Sequence, residues 1–203
     1  MRSVLVWLMM FFGGAIATAT PANGQVGPCQ PAELFVADNA DPLFEMRADA
    51  TITLNGIAVT GSTPLDGVHW SNARQQISYE RSREFHVCGP GEPTLHDAAL
   101  ALSRQFTQES VLSFDYLPQA APEADALLVA VPDVDIARFG DALAADPAAR
   151  TRLRGGSVTA ADHTLILVVG NDDRDVARRL IAETGASWDT ATIAYGNREF
   201  VET

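Results

Sequence analysis

The chain contains no lysine. Its 14 cationic residues are all arginine, set against 26 aspartates and glutamates, for a net charge of −12. A protein this acidic is repelled by phosphate backbones and by anionic lipid, so nucleic acid and membrane surfaces are poor partners for it. There is no Gly-x-Ser-x-Gly elbow for a serine hydrolase and no glycine loop that would cradle a phosphate. The four histidines, His69, His86, His96 and His163, form no His-x-x-x-His pair. No metal set and no cofactor are expected from spacing of this kind. Asn171-Asp172-Asp173-Arg174-Asp175 falls short of a calcium loop and reads as a helix cap.

Only one long apolar run is present, and it lies at the start. Met1-Arg2 is a short basic opening, residues 4–16 are almost wholly apolar, and Ala17-Thr18-Ala19 has the small-x-small form of a cleavage site. Residues 1–19 therefore read as a secretory signal peptide. The run is shorter than the ~20 apolar residues of a membrane span. Without Arg2, 13 arginines face 26 acids, a net charge of −13. The expected location is secreted or periplasmic, with no membrane attachment after cleavage.

Cysteine is scarce as well, with Cys29 and Cys88 alone. In an exported chain an even pair reads as one disulfide. A redox or metal-binding pair needs closer spacing or more ligands. The two are 59 positions apart, and a loop of that size is worth about 4 kcal/mol in the chain-entropy account.

What remains is patterned. Residues 20–31 are rich in Pro and Gly and read as an extended tail. Residues 32–37 and 57–65 read as strands, and residues 76–87 as a long strand with polar residues in its middle. Residues 38–55 are ambiguous: Asp41-Pro42 opens a helix, whereas Thr51-Ile52-Thr53-Leu54 alternates like a strand. Residues 93–105 predict a helix with Thr94 and Asp97 as a capping pair and Leu95, Ala98, Ala99, Leu102 and Phe106 on one face. Residues 110–117 predict a strand with one polar face. Residues 118–125 read as a linker, after which the order resumes: a strand at 126–131, a helix capped by Asp135 and interrupted at Asp146-Pro147, a turn at Gly155-Gly156, a hairpin, a helix stopped by Gly185, and a closing strand.

The second half, residues 126–203, is strand–helix–strand–strand–helix–strand. The first, residues 32–117, has the same order if residues 41–55 contain a helix. The expected fold is α+β: two tandem ferredoxin-like (βαββαβ) units with antiparallel sheets. That topology sets the start of the first strand beside the end of the third, which is where Cys29 and Cys88 fall.

Three separated segments carry a family likeness: Thr63-x-Leu65-Asp66-Gly67-x-x-Trp70, Ile77-x-x-Glu80-Arg81-Ser82-Arg83, and Phe106-x-Gln108-Glu109-Ser110-Val111-Leu112. Over about residues 33–115 the chain resembles a family of small exported bacterial proteins, a domain of unknown function built as a single ferredoxin-like unit. It departs from that family in the shortened segment 38–55, in Arg83 where lysine is usual, and in the added second unit. The resemblance implies fold and export, not an activity.

Trp70, Glu80, Arg83 and Gln108 are the candidate ligand-binding residues. Arg83 would hold a carboxylate or phosphate, with Trp70 closing one side. The bland alternative is a structural network, with Arg83 paired to an acid, Gln108 satisfying carbonyls at a helix end and Trp70 filling core. The function expected is an exported, non-catalytic module for a small molecule or protein partner. The alternative is a small enzyme with a pocket between the units, using Glu80 or His86 as the acid–base group.

Overall fold

The computed structural model describes residues 30–38, 41–71, 76–89, 91–115 and 119–203. Residues 1–29, where the expected signal peptide, most of the expected tail and Cys29 fall, lie outside the described residues.

The first strand sets the plan. On β1 (Gln30–Asp38), Ala32, Leu34 and Val36 are buried on one face and Glu33, Phe35 and Ala37 take the other. A strand with two different faces needs a different cover on each. The Leu34 face receives α1 (Phe44–Leu54) and α2 (Glu92–Phe106), which bring Ala48, Ile52, Leu95, Ala98 and Leu102 into one cluster with Phe85 and Val87. Phe44 meets Phe106 edge to face at 4.8 Å and Phe85 at 6.3 Å. Geometries of this kind add to simple burial.

Strands β2 (Ala58–Pro64) and β3 (Gly67–Ser71) run along one edge of β4 (Gln76–Gly89), pairing Pro64 with Arg83 and Gly67 with Glu80. They are followed by β5 (Ser110–Asp115), β6 (Ala126–Val131), helices α3 (Ile136–Ala145) and α4 (Pro147–Arg152), β7 (Leu153–Thr159), β8 (Leu165–Gly170), α5 (Arg174–Glu183) and β9 (Thr192–Glu202). Helices α3 to α5 cover the outer face of the second half, where Phe139, Leu143, Leu180 and Ile181 pack on Leu127, Leu165 and Leu167.

The nine strands form one sheet in the order β1-β5-β9-β6-β8-β7-β3-β4-β2, and β1 also pairs with β4. Every pairing is antiparallel. The β1–β4 contact turns the row into a ring, with β2 outside it on the far edge of β4. A closed sheet leaves fewer exposed strand edges. The mixed α+β, antiparallel character expected from the sequence is what the structure has. Helices lie outside the ring, and the Phe35 face of β1 lies within. A third cluster, Phe114, Ala126 and Val168 with Phe35, Leu112 and Leu128, fills part of the interior.

Several local expectations need correcting. Residues 51–54 are helical, because Ile52 is fully buried among helix and sheet side chains and tertiary packing overrides the local alternation. Gly155 and Gly156 lie inside β7 and form no turn: a methyl group on Gly156 would come within 3.1 Å of Phe139 and Leu153, so glycine makes room for the helix layer. Helix α2 is capped by Gly91 with no side-chain bond, and Pro93 in its first turn has no N–H to satisfy. The polar face predicted for β5 is buried, since Ser113 and Asp115 sit against β9, and Ser113 donates to the Glu199 carbonyl at 3.3 Å. Strand β3 was not expected.

Candidate functional site

A cavity of about 800 Å³ opens within the ring between the two halves of the chain. That volume lies in the range of small-molecule sites. Phe35 and Leu112 contribute from the first half, Ile166, Val168 and Phe200 from the second. These residues occupy inward positions because their alternating neighbours (Leu34, Val111, Leu165, Leu167) belong to the outer cores.

The wall also carries polar groups, among them Arg81, Ser82, Glu109 and Ser157. His69 Nε2 lies 3.2 Å from Ser82 Oγ, and Ser82 Oγ donates to the Leu65 carbonyl at 3.1 Å. With its single proton used on that carbonyl, the Ser82 hydroxyl accepts from the His69 ring. Trp70 comes from β3 and Gln108 from the turn between α2 and β5, and both line the cavity. Trp70 Nε1 and Gln108 Oε1 are buried, and neither has a hydrogen-bond partner among the described residues. One is a donor and the other an acceptor.

Gln108, singled out in the sequence, is therefore at the site; Trp70 borders it, but its ring belongs to the outer core with Phe139, Leu153 and Val158, opposite Gly156, as the core-filling alternative has it. Arg83 is not at the site. It pairs across from Val36, whose face packs under the helices, so its guanidinium points to the outside of the ring. There Arg83 donates to Ser62 Oγ at 2.9 Å and pairs with Glu45 at 3.3 Å, and Ser62 donates to the same Glu45 oxygen at 2.6 Å. This network ties β4 and β2 to α1. The backbone of Glu80 pairs with Gly67, and its side chain lies outside the described residues. Gln108 also reflects the structural alternative: its carbonyl accepts from Ser103 Oγ at 2.9 Å, and its N–H donates to the Ser103 carbonyl at 2.9 Å, closing the end of α2.

One step along the same inner face lies a cluster the sequence reading missed. Glu33 on β1 stands directly opposite His86 on β4, and Glu84 precedes His86 by two residues. A ligand atom from each of the three falls within 4.8 Å of the others. Burial, followed by the hydrogen bond to Glu33 and its negative charge, pushes the Glu84 carboxyl up to about 9. His86 Nε2 lies 2.8 Å from Thr63 Oγ1. The signal was the parity of the strand. Glu84 and His86 alternate with Phe85 and Val87, and Glu33 with Leu34.

Further round the ring, Arg198 lies with its guanidinium carbon 5.0 Å from the centre of the Phe200 ring. Burial, then the like charge of Arg154, lower its pKa to about 10, against the opposing effect of Asp125.

The fold and site define an antiparallel α+β barrel with an internal, mostly apolar cavity. No family model matches the chain, and no curated protein matches it. Among solved structures, it is similar to a "putative glycine cleavage system transcriptional repressor", with a TM-score of 0.29 and 11% identity over 87% of this chain and 99% of that one. It is also similar to a "putative monooxygenase from Lactobacillus acidophilus NCFM", with a TM-score of 0.26 and 13% identity over 85% and 96% of the two chains. A third is an "anthrone oxidase-like protein", with a TM-score of 0.27 and 9% identity over 84% and 92%. Likenesses at this level carry no inference about the chemistry of this chain.

Proposed function

We propose that the protein is an exported, non-catalytic binding module that takes a small, largely apolar molecule with a hydrogen-bonding group into the cavity of its barrel. The observation that carries this reading is an orphaned buried acceptor, Gln108 Oε1, on a cavity wall that also carries Phe35, Leu112, Ile166, Val168 and Phe200. A buried polar atom left without a partner costs roughly 1–3 kcal/mol. A ligand bearing a donor group would recover that cost.

The same reading covers the architecture. Strands β5-β1-β4-β2 and β9-β6-β8-β7 run in the same relative order, fourth-first-third-second of each half. This supports two tandem ferredoxin-like units that share one ring and hold the ligand between them. Export rests on the N-terminal signal pattern. The Cys29–Cys88 disulfide is supported by the register of β1 on β4, which sets Pro31, two residues from Cys29, opposite Cys88.

Mass spectrometry of the natively purified chain tests the reading. A retained small molecule is expected, together with saturable binding of anilinonaphthalene sulfonate that the retained molecule displaces. Gln108→Leu keeps the bulk of the wall and removes the orphaned acceptor. It should weaken retention about tenfold, the equivalent of ~1.4 kcal/mol. A barrel that holds nothing and binds the dye no better than its Gln108→Leu variant would sink the proposal.

A further inference from the structure

We propose that Glu33, Glu84 and His86 form a binding site for one divalent transition-metal ion, with Zn²⁺ as the representative ion. The three residues come from two adjacent strands. Glu33 is the direct cross-strand partner of His86, and Glu84 shares the face of His86 by the two-residue period. Their ligand atoms converge within 4.8 Å.

The spacing suits an ion better than a direct contact. His86 Nδ1 and Glu33 Oε1 are 3.6 Å apart, beyond a normal N–H···O hydrogen bond. Two ligands held at ~2.1 Å from a tetrahedral ion lie about 3.4 Å from each other. The observed gap is that of two ligands sharing an ion, to within a small side-chain movement.

The surroundings prepare the ligands. Thr63 Oγ1 holds His86 Nε2 at 2.8 Å. With Nε2–H donating to that hydroxyl, Nδ1 keeps its lone pair and points at Glu33, as a metal-bound imidazole needs. Glu33 Oε2 is buried with no hydrogen-bond partner among the described residues. Two carboxyls in a largely buried place repel one another when both are ionised, and a divalent cation removes that repulsion. The His86 side chain is 38% exposed, so an ion can reach the site from solvent. A set of two carboxylates and one imidazole, with no thiolate, suits Zn²⁺ or Mn²⁺ more than Cu(I). Three protein ligands leave a tetrahedral ion one position for water or a small ligand. Phe35 and Ser82, the neighbours of this set on the same face, line the cavity.

Equilibrium dialysis of the chelator-treated chain against ZnCl₂ at neutral pH tests this without reference to any cavity ligand. One Zn²⁺ per chain is expected, saturating in the micromolar range. His86→Asn and Glu84→Gln should each weaken it at least tenfold, whereas Asp173→Asn, on the far acidic cluster with Arg152, should leave it unchanged. Co²⁺ in place of Zn²⁺ should give the visible absorption of a four-coordinate ion with a nitrogen ligand. Thr63→Val, at the edge of the ring, should weaken binding about tenfold through the His86 orientation. It decides the matter if the two ligand variants fail to fold. No stoichiometric uptake, uptake that His86→Asn and Glu84→Gln do not alter, or unchanged affinity in Thr63→Val would each overturn the assignment.

Discussion

A methyl group placed on Gly67 would lie 2.0 Å from the carbonyl oxygen of Val158 and 2.9 Å from the Cα of Thr159. This close approach is the β3–β7 seam, where the first half of the chain meets the second. Asp66 anchors it: its side chain accepts the Ser82 N–H at 3.0 Å and its carbonyl accepts the Ala160 N–H at 2.6 Å. The Leu65-Asp66-Gly67 motif thus has a physical account as the corner at which β2 hands over to β3. Gly67→Ala must push backbone against backbone, so a loss of about 3 kcal/mol or more is expected in urea unfolding. Gly155→Ala is the control. Its methyl would meet Val168 at 3.6 Å, an ordinary contact, and stability should stay within about 1 kcal/mol of the parent.

Arg83→Ala should leave the affinity for any cavity ligand unchanged. The guanidinium belongs to the Glu45–Ser62 network on the outer face, and the Glu45 side chain there is 57% exposed. Solvent screens such a pair, so the cost to stability should be about 1 kcal/mol or less. Binding and thermal melting of the same variant check both statements, and lost binding with an unaltered melt would contradict the placement.

Much of this fold was legible because its signals are local. Asp135 and Asp146 each accept two backbone N–H groups at a helix start, Gly185 takes a φ of +82° at a helix end, and the apolar face of α2 is buried throughout. The ring was not legible. Its closure depends on Gly67 meeting Val158 and on β5 meeting β9, contacts between distant parts of the chain that no short motif announces. For the site, Gln108 stood out as a polar-capable residue among apolar ones, whereas Trp70 fills the outer core. Arg83 misled for a reason already present in the sequence: it shares the parity of Phe85 and Val87 and so belongs to the helix-covered face. Glu33, Glu84 and His86 converge only once the register of β1 on β4 is known.

The stability of the metal-free protein should fall as pH rises from about the ordinary glutamate value toward 9. The Glu84 carboxyl is raised from 4.5 to about 9 in the fold, so between those values the native state holds a proton that the unfolded chain has released. By linkage, stability is then lost with a slope of up to about 1.4 kcal/mol per pH unit. Asp146 and Asp162 act in the opposite sense. The Ala149 N–H and the Thr159 hydroxyl respectively hold them below the usual range, and the stability they supply is lost as pH falls through their folded values. A maximum on the acid side of neutrality is expected in urea unfolding, and Glu84→Gln should flatten the alkaline limb. A limb of unchanged slope in that variant would assign the effect elsewhere.

Reduction of the proposed Cys29–Cys88 bridge should lower the protein's stability by about 4 kcal/mol, the chain-entropy value for a loop of 59 positions. Thermal melts with and without a thiol reductant measure this, and Cys29→Ser with Cys88→Ser should reproduce the reduced value. If reductant leaves the melt of the parent unchanged, the proposed cross-link is wrong.

Arg198→Met should be neutral or stabilising. The guanidinium is half-buried over Phe200, its Nε has no hydrogen-bond partner among the described residues, and burial followed by the charge of Arg154 lowers its pKa to about 10. Its cationic form is therefore disfavoured by the fold, and only Asp125 acts in the other direction. Methionine keeps the length and the contact with Phe200 while removing the charge, and replacing an imperfectly paired buried charge with an apolar side chain is often neutral or favourable. An unfolding free energy unchanged, or raised by about 1 kcal/mol, is the expected result. Because Phe200 also lines the cavity, the same substitution should weaken an anionic probe such as anilinonaphthalene sulfonate more than a neutral one. Equal effects on both probes would separate Arg198 from the ligand, and a loss of more than about 2 kcal/mol would show that the cation is paired in the folded protein.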